Sequence, residues 1–532
     1  MVEAVGGRSS ITPTGGHTIS HPSTHSHVAV ISETCKTHPV RKRQRMAVQS
    51  TEVVVVGNGP SAICLSYMLT GYRPYYNGLP HPNEFLLAKL VKNKEISVVE
   101  QDLSELSEGL EGRSSNPVAL LFDALTHPDA DLGAEMPSCL TWQKEDIHFT
   151  PHVVLGKSPP GGAWQQMDGD MHTLSLSNWM ELPSMPFKEW LACRKRNKSA
   201  SGSSSMRNER ASIADVRNYY CDFVADKGLS GNFSNYSTVT SVRKVYQLRN
   251  NVDEESGEVE PCCSNVKQNH SYHWEVRGYR SLYNDDKAEP VREEFCYHAS
   301  YVVLATGTFD IPNRLGSPGE HLPFVYHTLS GFEQAIKEKK LGSNSDPVVV
   351  IGAGLTAADA VIMARRNNIP VEHVFRRSAT DTNLVFKKLP PMMYPEYHKI
   401  HSMMKGHDQS YDLYRQHARH KVVEFKEDQK VIVEGDGREH VIHCSAVVIL
   451  IGSRPDLSFM PVEGRNLGIV RKCAIDCRHN PIEIDPYSYQ CLQEPGLFAI
   501  GPLIGDNFVR FIRGGSLGVT NYLWRRRVAD KF

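Results

Sequence analysis

The sequence predicts an α/β protein containing two doubly wound units, and three observations predict it. A strand–glycine–helix pattern runs from Thr51 to Gly71 as TEVVVVGNGPSAICLSYMLTG. A second begins at Val348 as VVVIGAGLTAADAVIMARRNNIPVEHVFRRS and ends at Ser378. The chain has 532 residues, too many for one core, and length suggests roughly two to four domains.

In the first unit VVVVG is a short β-branched run, which suits a buried parallel strand. GNGPSA follows, with Gly57, Gly59 and Ala62 at the key spacings and Pro60 and Ser61 between them. The first glycine permits a tight turn, the second lets backbone approach a pyrophosphate, and the small third residue lets the helix pack closely. The helix ICLSYMLTG then presents its N-terminal N–H groups to the phosphate, as Rossmann-like dinucleotide sites do.

Such a site calls for a following strand that ends in an acid able to hold a ribose. ISVVEQD is read as that strand, with Glu100 at its end and Asp102 close behind. The separation is wider than the usual figure of about 20 residues, so an insertion is expected between helix and strand.

The second unit repeats the mechanics as GAGLTA, with Gly352, Gly354, Thr356 and Ala357. Its following strand, VEHVF, ends in Arg376 and Arg377 instead of an acid. An acid there accepts a hydrogen bond from a ribose 2′-hydroxyl, whereas an arginine pairs with a 2′-phosphate. The first unit is therefore read as the FAD site and the second as the NADPH site.

The remaining composition excludes more than it adds. Hydrophobic residues are 40% and charged residues 22%, ordinary for a globular chain. The formal net charge of -1 argues against a general nucleic-acid binder. No apolar run is long enough to cross a bilayer, and the N-terminus lacks the pattern of a signal peptide. The 12 cysteines are scattered, as suits a reducing compartment. Cys473 and Cys477 have a loose spacing with no second pair, so no metal site is read there. Residues 1–46 are polar and aperiodic, and RKRQR at Arg41 to Arg45 reads as a nuclear-import patch or a chance basic run. Polar loops are expected near 194–212 and 250–292.

Further strings carry a resemblance. They are PPGGAW with Gly161, Gly162 and Trp164, VVLATGTFDIP with Thr306 and Gly307, and GLFAIGPLIGDNFVRFIRGG with Gly501, Gly505, Asp506 and Asn507. In this order with the two glycine loops, they resemble the flavin-dependent monooxygenases with two dinucleotide-binding domains. Longer strings, NGPSAICLSYMLTGYRPY, LSEGLEGRSSNPVALLFDAL, IPVEHVFRR, YPEYHK and GDNFVRF, are similar to the oxidative stress-induced growth inhibitor family.

The resemblance implies a discontinuous FAD domain over 47–342 and 461–532, the latter ending in a helix, with an NADPH domain inserted at 343–460. It implies hydride transfer from NADPH to FAD and then oxygen activation as a peroxyflavin. It places Gly161, Gly162 and Trp164 near the flavin, Gly505 and Asp506 on its ribityl and diphosphate region, and Asn178 at its side. It also implies a role in growth control, the oxidative-stress response and cell division, with regulatory protein partners. The expected location is the cytoplasm, with the nucleus or division structures such as the midbody as alternatives. An F-x-G-x-x-x-H signature of the monooxygenases is not matched: His327, in SPGEHLPFVYHTLSGF, lies in the nearest string. The competing readings are an uncoupled NADPH oxidase releasing peroxide and a non-catalytic redox-sensing regulator.

Overall fold

The computed structural model describes residues 47–197, 210–247, 271–282 and 290–530. The polar extension and its basic run lie outside them. Two sheets organise the rest. The first has the order Phe233–Asn235, His152–Gly156, Val48–Val56, Val291–Leu304, Ser271–Leu282 and Ser237–Gln247, and Leu497–Ala499 also pairs with Val291–Leu304. Val48–Val56 is parallel to both its neighbours, and Val53, Val54 and Val55 are fully buried, as an uninterrupted valine run requires.

Val291–Leu304 joins two kinds of pairing. Its first part is antiparallel to Ser271–Leu282 up to Ala299, opposite Trp274. From Val302 onward Leu497–Ala499 takes that side, in parallel. The chain's last segment therefore completes the sheet that its first strand began.

The second sheet is wholly parallel, in the order Val325–Tyr326, Ala446–Ile449, Val348–Ile351, Val371–Phe375 and Tyr414–Ala418. It has its own apolar cores, separate from that of the first sheet. A short antiparallel pair, Ile311–Pro312 with Ser453–Arg454, carries the chain out to this sheet and back. The α/β architecture with two dinucleotide-binding units is the one the glycine patterns predict.

Several local expectations are corrected. ISVVEQD is not a strand: Val98–Glu100 is a 3-10 turn capped by the Ser97 hydroxyl. The carbonyls of Val99 and Gln101 accept from the Asn521 side-chain amide, which takes the place of a strand partner. The polar stretch 250–292 contains the strand Ser271–Leu282, whose apolar face is set by Trp274 and Val276. At the other polar stretch a helix runs from Phe187 to Asn197 and Arg210–Ser212 is a strand. The second sheet also starts before residue 343, because Val325–Tyr326 belongs to it.

The C-terminal helix Val509–Ala529 is buried along most of its first half. No helix among the described residues is long and apolar enough to cross a membrane.

Two buried histidines brace the strands. His152 Nδ1 donates to Thr150 O at 2.7 Å, and its Nε2 accepts from the Ser66 hydroxyl at 2.8 Å. His373 Nε2 donates to Gly352 O at 2.7 Å, and its Nδ1 accepts from the Tyr414 hydroxyl at 2.9 Å. Burial pushes both rings down from 6.5 to about 4. Between those values the unfolded chain binds protons that the folded one refuses, so stability is full above the unfolded pKa and is lost as pH falls. From about pH 7 to about pH 5 each ring should remove about 2 kcal/mol of unfolding free energy. Denaturant titrations at both pH values check this. A His373→Asn variant should show a shallower loss, and an unchanged slope would mean that another group titrates.

Candidate functional site

The first site is built at the end of Val48–Val56. Gly57 has φ +108, and a Cβ there would sit 2.3 Å from Ala305 O. The turn is therefore possible only with glycine, under the extension of the neighbouring strand. Gly59 caps the helix Pro60–Leu69 with ordinary φ of -70, and nothing lies within 4 Å of where its Cβ would be. Pro60 occupies the first helical turn, and Ser61 and Ala62 are buried against the body. The Asn58 side chain donates to Ser158 O at 2.6 Å, and Asn58 O accepts from Gly161 N at 2.9 Å. Gly162 then abuts Gly59, its would-be Cβ 3.0 Å from Gly59 Cα. Trp164 is half-buried, edge-on to Tyr220 at 6.4 Å.

The closing segment meets this loop from below. Gly501 has φ +71, and a Cβ on it would be 2.5 Å from Ser61 Oγ. Gly505, with φ +95, turns the chain into Asp506. Asp506 is buried: its Oδ1 accepts from Ser114 Oγ at 2.7 Å, and its Oδ2 forms no hydrogen bond of normal geometry, although the Asn116 amide faces the carboxyl. Burial pushes this carboxyl up to about 7, with Ser114 and Asn116 pulling the other way. Thr306 Oγ1 and Asn178 Oδ1 are likewise buried without partners. Gly307 faces open space. Asn507 is exposed, its amide folded back on Gly505 O at 2.9 Å.

Glu100 does not join this group. It lies 3.5 Å from His148, which precedes the strand His152–Gly156, whereas Gly57 follows the parallel strand beside it. Glu100 thus sits toward the end of the sheet opposite the loop. Asp102 caps the short helix Leu103–Ser107. The strand next to Val48–Val56 is His152–Gly156, and it ends in Gly156 and Lys157 without an acid. Sequence reading missed this strand because about 80 residues of insertion precede it. It also missed Asn58, Ser114 and Asn116, for which no local signal exists.

The second site repeats the geometry. Gly352 has φ +139, and a Cβ there would be 2.3 Å from Leu450 O. Gly354 caps Leu355–Arg366 with nothing within 4 Å of its would-be Cβ, Thr356 is exposed, and Ala357 is buried under the turn. Arg376 and Arg377 follow Val371–Phe375 and are exposed. Arg377 lies 3.5 Å from Asp381, and Arg376 forms no ion pair among the described residues.

Of the buried polar atoms without partners, Thr306 Oγ1 belongs to the residue that adjoins the Gly57 turn, which fits a polar ligand in the open space beside Gly59. The first site fits a flavin dinucleotide: the Gly57–Ala62 turn leaves room for a diphosphate, with Thr306 beside it. The second suits NADPH: the Gly352–Ala357 turn for the diphosphate and Arg376 for a 2′-phosphate. Elsewhere, Glu275, Cys296 and His298 gather their ligand atoms within 4.8 Å. Arg243 and Arg277 already hold Glu275 at 2.8 Å each, which disfavours a cation. His327 is engaged with Glu320 at 3.0 Å and with Arg314.

The two glycines of the first loop make a paired prediction. Gly59→Ala should leave the melting temperature of the flavin-free protein within about 1 °C, since a methyl there meets only solvent. Its flavin affinity should fall roughly ten-fold or more, as the methyl blocks phosphate approach. Gly57→Ala should lose both, because the methyl meets Ala305 O. Thermal melts and flavin titrations separate the two outcomes.

Known proteins share this fold. A family model described as pyridine nucleotide-disulphide oxidoreductase matches residues 291–469, which include the second glycine loop. The fold is similar to bacillithiol disulfide reductase from Bacillus cereus, with TM-score 0.53 and 15% identity over 90% of this chain and 100% of that one. It is also similar to ornithine hydroxylase from Pseudomonas aeruginosa, with TM-score 0.50 and 11% identity over 90% of this chain and 100% of that one. In sequence, oxidative stress-induced growth inhibitor 2 of Homo sapiens is 46% identical over 484 residues, covering 89% of this chain and 93% of that protein. The chain belongs to the oxidative stress-induced growth inhibitor family.

Proposed function

We propose that the chain is an NADPH- and FAD-dependent oxidoreductase of the monooxygenase type. The observation that carries this reading is the pair of glycine cradles with different electrostatic surroundings. One ends beside an unpaired arginine, and the other beside a buried carboxyl held near neutrality. The bound cofactors would supply the hydride and oxygen chemistry that side chains lack. The residues present would bind, orient and exclude water. Gly59 and Gly354 leave room for diphosphates, the helix N-termini beyond them favour the negative charge, and Arg376 selects the phosphorylated ribose. With its carboxyl near neutrality, Asp506 Oδ2 can donate to or accept from a hydroxyl without setting a full negative charge beside a diphosphate.

A second reading is supported by the likeness to a disulfide reductase: the same hydride input would serve another acceptor, or oxygen would leave as peroxide. By the names of its relatives, we also place the protein in growth inhibition linked to oxidative stress.

Anaerobic NADPH should bleach the flavin bands of the purified protein. In air, NADPH consumed in excess of peroxide formed supports oxygenation, and a one-to-one yield of peroxide supports the oxidase reading. A flavin that NADPH does not reduce would overturn both. Arg376→Ala should raise the NADPH KM roughly ten-fold or more, the worth of a charged contact, with NADH use nearly unchanged. An equal effect on both cofactors would overturn the role given to Arg376.

A further inference from the structure

We propose that Arg419, not Arg377, is the second specificity-determining residue for the 2′-phosphate, acting from the neighbouring strand beside Arg376. The inference rests on the NADPH reading of the second site. Val371–Phe375 and Tyr414–Ala418 are parallel, with Phe375 opposite Ala418. The pairing ends there and the chain turns at Arg419, which lies against the backbone of Arg376 and Arg377 at the strand end. Paired strands lie about 4.8 Å apart at Phe375 and Ala418, so Arg376 and Arg419, each one residue further on, leave the sheet at the same edge. That edge also carries the glycine turn, because Ile351 pairs with Val374 in the same sense.

The backbone fixes this arrangement. His420 N donates to Phe375 O at 3.2 Å, and Arg419 N donates to Arg377 O at 3.3 Å. Arg419 itself turns the chain with φ +61. An arginine is not the residue that such a φ favours.

Charge pairing around the edge singles out the same two residues. Arg377 is shared with Asp381 at 3.5 Å. Arg415 lies 3.7 Å and His417 2.6 Å from Glu372, and Lys421 lies 3.0 Å from Glu434. Arg376 and Arg419 are exposed and form no ion pair among the described residues. Two neighbouring cations with no acid between them repel each other, and a dianion placed between them removes that cost. A ribose 2′-phosphate at the end of the second strand of such a site is a dianion of that kind.

The test is calorimetric titration of the full chain with 2′,5′-ADP and with 5′-AMP, which differ in the phosphate alone. The wild-type protein should prefer 2′,5′-ADP. Arg419→Ala should weaken 2′,5′-ADP roughly ten-fold and leave 5′-AMP unchanged, and Arg419→Glu should abolish the preference. Arg377→Ala should have the smaller effect. The 5′-AMP affinity doubles as the check that each variant is folded. If the wild-type preference stands but Arg419→Ala binds 2′,5′-ADP as tightly as before, the role of Arg419 is overturned and the NADPH reading survives. If the wild-type protein shows no preference, the NADPH reading itself falls.

Discussion

The arrangement depends on a steric constraint that occurs twice. At the end of Val48–Val56 and again at the end of Val348–Ile351, the chain must pass beneath the carbonyl of an adjoining strand's extension. A Cβ at Gly57 would lie 2.3 Å from Ala305 O, and one at Gly352 would lie 2.3 Å from Leu450 O. Both residues also have φ in the left-handed region, at +108 and +139. Neither turn tolerates a side chain, so each helix starts where its N–H groups face the strand ends. The second glycine of each loop is glycine for a different reason. Gly59 and Gly354 border empty space, which is room for a ligand and not for protein.

The polar wall of the first site is fastened by buried charge. Asp506 lies just before the C-terminal helix, and its partner Ser114 lies just before the helix Pro117–Thr126. Arg510, in the first turn of the C-terminal helix, is buried and contacts both Asp123 oxygens at 2.5 Å, and Asp131 at 2.8 Å. Its guanidinium also stacks over Trp179, next to Asn178, at 5.0 Å from the ring. An ion pair this dry adds little net stability, because desolvation offsets the attraction. It does specify position. Removing either partner strands the other charge, so the two helices hold one relative geometry, and with it the segments just before them that carry Asp506 and Ser114.

What was legible in the sequence follows from the range of each interaction. The glycine turns are local, and so is the run of valines before them, so both loops and the fold class could be read directly. The arginines after Val371–Phe375 were also readable, because the helix between is of ordinary length. Glu100 misled because Val98 and Val99 look like a strand, whereas the carbonyls of Val99 and Gln101 are claimed by Asn521, more than 400 residues on. The strand that does adjoin Val48–Val56 is displaced by an insertion. Ser271–Leu282 was hidden because its inward face carries few apolar residues, Trp274 and Val276 among polar neighbours. Arg419 was invisible because only the pairing of the two strands and the turn after it bring it to the strand end that carries Arg376.

The two sites use opposite electrostatics, and physical chemistry links that to their roles. Arginines that lack an acid hold a dianion by attraction that can be matched or lost in solvent. Such a site binds and releases its ligand. The first site offers no such cation beside its glycine turn among the residues brought together there. It offers instead buried oxygens without partners and a carboxyl raised to about 7. Each buried oxygen left unpaired costs about 1–3 kcal/mol, a cost that a bound polar chain removes. With the cofactors proposed above, occupancy would satisfy buried oxygens at the first site and only balance surface charge at the second, the asymmetry that a resident flavin and a transient nicotinamide would require of one polypeptide.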